Sequence, residues 1–187
     1  DLAIASNCKA IMNYEKIFVA GSSGMVGSAI CRKLEKSGYG KSPNNGKLLR
    51  PNRNELDLFD SEKVNLWFKA NKPEIVVLAA AKVGGIGANS NFPSEFLLEN
   101  IKIQFNVIEN SFKYGVKRLL FLGSSCIYPK FAKQPIKEDY LLESSLEKTN
   151  EWYAIAKIAG LKLCAALRKQ HGFDAISLMP TNLYGPG

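Results

Sequence analysis

Lys16-Ile17-Phe18-Val19-Ala20-Gly21-Ser22-Ser23-Gly24-Met25-Val26-Gly27 decides the fold of this 187-residue chain. The first five residues are a short, continuously apolar, β-rich run, which predicts a strand buried on both faces. Three glycines spaced three apart (Gly21, Gly24, Gly27) follow at once. Residues 25–37 then carry apolar side chains at helical spacing through Val26, Ala29, Ile30 and Leu34, with Gly38 as the stop. Strand, glycine turn and helix in that order open a parallel α/β sheet. Glycine permits a tight turn and close approach of backbone to a ligand, while the helix start offers free N–H groups and the positive end of its dipole. The segment Gly21-Ser22-Ser23-Gly24-Met25-Val26-Gly27 is therefore predicted to cradle a pyrophosphate. The plainer alternative is a structural turn without a ligand.

The same alternation runs on through the chain. Residues 47–50 read as a short second strand after the turn cluster Ser42-Pro43-Asn44-Asn45-Gly46, and 61–70 as a helix capped by Ser61. A buried strand is expected at 75–79 (IVVLA), a long helix at 94–114 ended by Gly115, and a strand at 118–122 (RLLFL). A helix at 151–169 and a strand at 175–178 closed by Pro180 complete the pattern. The expected fold is an α/β doubly wound parallel sheet of Rossmann type over 16–187, with 1–15 as an N-terminal extension and Met12 as the natural start.

Sites for a non-phosphorylated dinucleotide usually place a carboxylate near the end of the second strand, against the ribose hydroxyls. Here that region reads Leu49-Arg50-Pro51-Asn52-Arg53-Asn54. Arg53, with or without Arg50, is suited to clamp a 2′-phosphate, so NADP(H) is the favoured cofactor; the alternative is a surface arginine. Glu55-Leu56-Asp57-Leu58 continue the cofactor segment, with Asp57 placed for the adenine.

Composition narrows the remaining classes. A hydrophobic content of 46% argues against disorder, and no apolar run reaches the roughly 18 residues of a membrane span. The net charge of +8 comes from 20 Lys and only five Arg, spread along the chain. It helps attract phosphorylated ligands or is simply a solvated surface, and there is no arginine cluster or aromatic platform for nucleic acid. Cys8, Cys31, Cys126 and Cys164 form no Cys-x-x-Cys pair, and the one histidine, His171, lies near none of them. No metal site is expected, and free thiols fit a cytoplasmic protein. His171 is read as a surface or loop residue.

Phe121-Leu122-Gly123-Ser124-Ser125-Cys126 closes the 118–122 strand, at the sheet edge where open α/β proteins hold ligands. Tyr153 and Lys157 lie four apart on a helix and so share one face. Tyr-x-x-x-Lys alone arises about 0.7 times by chance in this composition, so the weight rests on its context. An ammonium beside a phenol is expected to lower the phenol's pKa and ease proton transfer, and Ser124 is placed to hold the same carbonyl oxygen. The expected chemistry is reduction of a ketone, or oxidation of an alcohol, with a nicotinamide.

These residues resemble the extended short-chain dehydrogenase/reductases, and within them the branch that epimerises and reduces GDP-4-keto-6-deoxymannose to GDP-L-fucose. The resemblance runs from about Lys16 to Pro186. It is carried by Gly24-Met25-Val26-Gly27-Ser28-Ala29-Ile30, Ala79-Ala80-Ala81-Lys82-Val83-Gly84-Gly85-Ile86, Leu122-Gly123-Ser124-Ser125-Cys126-Ile127-Tyr128-Pro129-Lys130, Tyr153-Ala154-Ile155-Ala156-Lys157-Ile158-Ala159-Gly160 and Pro180-Thr181-Asn182-Leu183-Tyr184-Gly185-Pro186. It implies NADPH-dependent 3,5-epimerisation followed by reduction of the 4-keto group, with Tyr153, Lys157, Ser124 and Cys126 as catalytic residues. Cys126 matches the family cysteine that exchanges the epimerised protons; read without the resemblance it is a small buried hydrophobe. Leu122, Gly123 and Ser125, and Pro180-Thr181-Asn182-Leu183, match cofactor-contacting segments, and residues 79–86 a backbone-lined wall. The family's homodimers pack two long helices per subunit together, which assigns 94–114 and 151–169 to that surface.

Two departures stand out. Ser22-Ser23 occupy the loop position where the family often carries a basic residue, which leaves more of the phosphate recognition to Arg53. The histidine that partners the cysteine falls beyond Gly187, with most of the sugar-nucleotide domain, which implies a truncated chain with weak or no activity. Rival readings are another NAD(P)-dependent nucleotide-sugar epimerase or dehydratase, and a non-catalytic NADP-binding scaffold.

Overall fold

Among the described residues, five strands form one wholly parallel sheet in the order β2-β1-β3-β4-β5: β1 is Lys16–Ala20, β2 Lys47–Leu49, β3 Ile75–Leu78, β4 Arg118–Leu122 and β5 Ala175–Leu178. The computed structural model describes residues 16–40 and 46–186. The expected extension over 1–15, with Met12 and Cys8, and the turn residues 42–45 lie outside the described residues. In-register pairing of Phe18 with Leu49 and Val76, and of Leu120 with Val77 and Ile176, places β1, β3 and β4 inside the sheet.

Successive strand residues point to opposite faces, and both faces are covered, which is why the strands read as unbroken apolar runs. Phe18, Val76, Leu78, Leu119 and Phe121 pack with Val64 and Phe68 of α2 (Ser61–Asn71), Ile103, Val107 and Ile108 of α4 (Pro93–Lys113) and Cys164 of α5 (Glu151–His171). On the other face Ile17, Val19, Ile75 and Val77 pack with Cys31 of α1 (Met25–Lys36). The remaining α-helix of the described residues, α3, is a short one at Ile86–Asn91.

The helix ends depart from the sequence reading in small, explicable ways. The cap of α2 is Asp60 and not Ser61: its carboxylate accepts the N–H groups of Glu62 (3.1 Å) and Lys63 (3.0 Å). A carboxylate at that position satisfies two of the orphan donors and carries charge that suits the helix dipole. Helix α4 starts one residue earlier than expected, with Pro93 in its first turn, where the missing N–H costs nothing. Helix α5 runs two residues further than expected, to His171, and stops at Gly172, whose φ of 69° is the left-handed conformation common after a helix.

After β1 the chain builds β2 on one side and then crosses to build β3 on the other. This reversal of winding opens a crevice outside the carboxyl ends of β1 and β3.

Candidate active site

The crevice has a volume of about 950 Å³ and is lined by the loops that follow the strands together with residues of α1, α4 and α5. The glycine loop forms its floor. Gly21 has φ of 82°, and a Cβ there would lie 2.7 Å from the Ala80 backbone nitrogen. A Cβ on Gly27 would lie 2.0 Å from the Gly21 carbonyl oxygen, so no side chain fits at either position without moving backbone. Helix α1 begins at this turn with Gly24 as its cap, no side chain on its free N–H groups and no acidic residue in its first turn. Those donors are left for a ligand.

Arg53 lines the far end of the crevice with Leu56, Asp57, Leu58 and Phe59. Arg50 does not join it: its guanidinium pairs with Glu35 on α1 at 2.6 Å. Asn54 and Glu55 are also absent from the lining. Both are exposed members of a turn built on Asn52, whose side-chain oxygen accepts the N–H of Asn54 (2.9 Å) and of Glu55 (3.1 Å). The opposite wall is the 79–84 strand exit, and Pro180, Thr181, Asn182 and Leu183 close the rim. Ser125 stands behind that rim, its N–H donating to the Pro180 carbonyl at 3.0 Å.

Leu122, Gly123, Ser124, Tyr153 and Lys157 also line the crevice. Ser124 lies close enough to the Tyr153 hydroxyl to act on its acidity. The Ser124 hydroxyl also accepts the Cys126 N–H at 3.2 Å, opening a single helical turn at Ser125–Ile127. Cys126 is half-buried and outside the lining, but close enough that charge on its sulfur acts on Tyr153. Lys157 is only 3% exposed, and its ammonium donates to the Leu122 carbonyl at 2.7 Å. Its nitrogen lies 5.0 Å from the Phe121 ring centroid and 5.7 Å from that of Tyr153.

The electrostatics reverse one sequence expectation. Burial pushes the Tyr153 phenol up to about 12, the neighbouring Cys126 adds to the rise, and Ser124 draws it back. Lys157 does not lower it. The amine is itself driven down to about 8 by burial, and its proton is directed at a carbonyl. Desolvation outweighs charge attraction at this depth because it penalises the charged form of both groups.

Other crevice features were not read from the sequence. Lys82 and Glu99 both line it and pair at 3.4 Å. Asn100, buried on α4, holds the Lys82 backbone at both ends, accepting its N–H at 2.9 Å and donating to its carbonyl at 3.0 Å. Gln104, one turn on, donates to the Ala156 carbonyl between Tyr153 and Lys157. Two amides spaced four apart inside an apolar helix were the available signal. His171 ends α5, exposed, with its ring 4.8 Å from that of Phe112 and remote from the crevice.

A family model, the NAD dependent epimerase/dehydratase family, matches residues 17–187. The chain is 60% identical to GDP-L-fucose synthase 1 of Arabidopsis thaliana over 171 residues, 91% of this chain and 51% of that protein. It is 51% identical to GDP-L-fucose synthase of Escherichia coli K12, over 94% of this chain and 53% of that protein. Among solved structures it is similar to the GDP-mannoheptose C4 reductase MlghC from Campylobacter jejuni with NADP bound (TM-score 0.85, 41% identity, covering 92% of this chain and 49% of that one). The chain thus spans about half the length of the curated relatives it matches.

Proposed function

The chain belongs to the NAD dependent epimerase/dehydratase family, and from that premise we propose that it carries the cofactor and proton-transfer site of an NADPH-dependent enzyme converting GDP-4-keto-6-deoxymannose to GDP-L-fucose. The observation that carries this reading is the convergence of Ser124, Tyr153 and Lys157 on one crevice that a bare helix N-terminus also lines. The 60% identity to a GDP-L-fucose synthase supports the choice of substrate.

The residues present fit a phosphorylated dinucleotide. The Gly21–Gly27 cradle leaves room only for backbone, the first turn of α1 presents unsatisfied donors, and Arg53 supplies a cation at the rim. Bound there, NADPH would supply the hydride for reduction of the C4 ketone. Tyr153 donates a proton to the C4 oxygen, and Ser124 orients that oxygen by hydrogen bonding. Lys157 would hold the nicotinamide ribose. In the preceding epimerisation, the C4 ketone acidifies the protons on carbons 3 and 5. Ser124 and Tyr153 stabilise the resulting enolate oxygen, and Cys126 exchanges the proton.

Incubation of the full-length protein with NADPH and the keto sugar, followed by NMR of the product, tests this. GDP-L-fucose and stoichiometric NADPH oxidation are expected. NAD retained through purification and released on denaturation, with no NADPH consumed, would place the protein with the NAD-retaining epimerases instead.

The protein is further proposed to be a cytoplasmic homodimer joined through α4 and α5. Leu98, Phe105 and Phe112 on α4 and Trp152 and Ile155 on α5 are exposed apolar side chains on the two long helices. Light scattering should give twice the chain mass; a monomer at micromolar concentration would remove the proposal.

A further inference from the structure

Arg53 makes no ion pair among the described residues, yet its position is not left to chance. Its guanidinium carbon lies 5.2 Å from the centroid of the Phe59 ring, and both side chains line the crevice. Phe59 is half-buried and packs against the main core, so the ring is anchored. The backbone beneath it is fixed from two directions. Asn106 of α4 donates to the Leu58 carbonyl at 2.8 Å, and the Phe59 N–H donates to the Asp57 carboxylate at 3.1 Å. The Asp60 N–H then donates to the Asp57 carbonyl at 3.2 Å, and Asp60 caps α2. Arg53, by contrast, is exposed and sits on the Asn52 turn.

We propose that Phe59 is a cofactor-specificity residue: its ring holds the Arg53 guanidinium at the crevice edge, oriented for a 2′-phosphomonoester. This rests on the NADPH reading above. A guanidinium lying over an aromatic face uses its π surface for the ring and keeps its N–H fork free in its own plane, where a phosphate accepts two parallel bonds. A flexible arginine would have to be ordered each time the nucleotide bound, whereas a platform does so beforehand. Arg50 offers no substitute, because it is committed to Glu35. A dinucleotide lacking the 2′-phosphate makes no use of the fork, so the platform acts on discrimination and not on general affinity. Phe59 is a positioning residue, since it acts through Arg53.

The test is fluorescence titration with NADPH and with NADH of the parent protein and of Phe59→Leu, Phe59→Tyr and Arg53→Gln. Phe59→Leu is expected to weaken NADPH about five- to twentyfold while NADH stays within about twofold, and Phe59→Tyr, which keeps the ring, to hold the parent ratio. Arg53→Gln should lose at least as much NADPH affinity as Phe59→Leu. If Arg53→Gln loses the preference and Phe59→Leu keeps it, Phe59 has no such role and the NADPH reading survives. If Phe59→Leu weakens both nucleotides equally, the ring is merely structural and the proposal is overturned. If Arg53→Gln also leaves the ratio unchanged, the phosphate reading at Arg53 fails, and this inference fails with it.

Discussion

In the full-length protein, Tyr153→Phe is expected to slow ketone reduction by about 10²–10⁴-fold while leaving NADPH affinity within about twofold of the parent. The magnitude is that of removing a positioned proton donor from a transition state in which the C4 oxygen gains negative charge. The substitution is conservative in every other respect. The phenyl ring keeps a half-buried aromatic surface on α5 and still faces the Lys157 ammonium at 5.7 Å. It also leaves the glycine loop untouched. The phenol sits at about 12 and is therefore fully protonated at neutral pH, the state a donor needs. Burial lowers its intrinsic acidity, so its work depends on partners that arrive with the substrate complex, where the oxygen it serves is turning into an alkoxide. Ser124, close to the same hydroxyl, can hold the ketone but has no comparable acidity. Reduction at a rate close to the parent's would remove Tyr153 from the mechanism.

Much of the fold was legible because its signals are local. An apolar run of four or five residues bounded by glycine, or by a polar turn, leaves little choice of strand limits, and Lys16–Ala20, Arg118–Leu122 and Ala175–Leu178 are as expected. Helix ends were less so, because Asp60 and Ser61 are adjacent residues that both favour capping, and only the geometry selects the first. The six-residue α3 was missed since its composition, Ile-Gly-Ala-Asn-Ser-Asn, has weak helix propensity; Asn89, buried and donating to the Gly84 carbonyl at 3.1 Å, helps hold it.

What the sequence could not show was which neighbour each side chain meets across long stretches of chain. Arg50 and Arg53 are three apart and look interchangeable, but Glu35 lies beside only the first. Asn100 reaches back 18 residues to fix Lys82, and Lys157 reaches 35 residues to the Leu122 carbonyl. The assumption that an ammonium must lower a nearby phenol's pKa failed for the same reason. It considered the pair and omitted the low-dielectric surroundings that penalise the charged form of both.

Lys157→Met carries that point into a stability measurement, and the expected result is a protein more stable than the parent near neutral pH but with NADPH affinity lost. The amine's folded value of about 8 lies below its unfolded value near 10.5. Below pH 8 both states hold the proton, and the folded state bears the whole cost of a buried ammonium, about 3 kcal/mol at 1.36 kcal/mol per pKa unit. Between pH 8 and 10.5 the unfolded chain binds more protons than the folded one, so the parent gains stability as pH rises. Tyr153 works the other way at higher pH: its folded value of about 12 exceeds the unfolded value near 10, so its contribution declines above pH 10. It is present in both proteins and cancels in their difference. Methionine fills a similar volume without charge, but leaves the Leu122 carbonyl unpaired at a cost of about 1 kcal/mol or more. The net advantage of the variant at pH 7 is therefore about 1–2 kcal/mol, and it should shrink and then change sign as urea titrations are repeated up to pH 10. A difference that stays constant with pH would mean that Lys157 titrates normally in the fold. The depressed amine would then have no physical basis, and with it the view that this site holds a destabilising charge in place for the sake of its ligand.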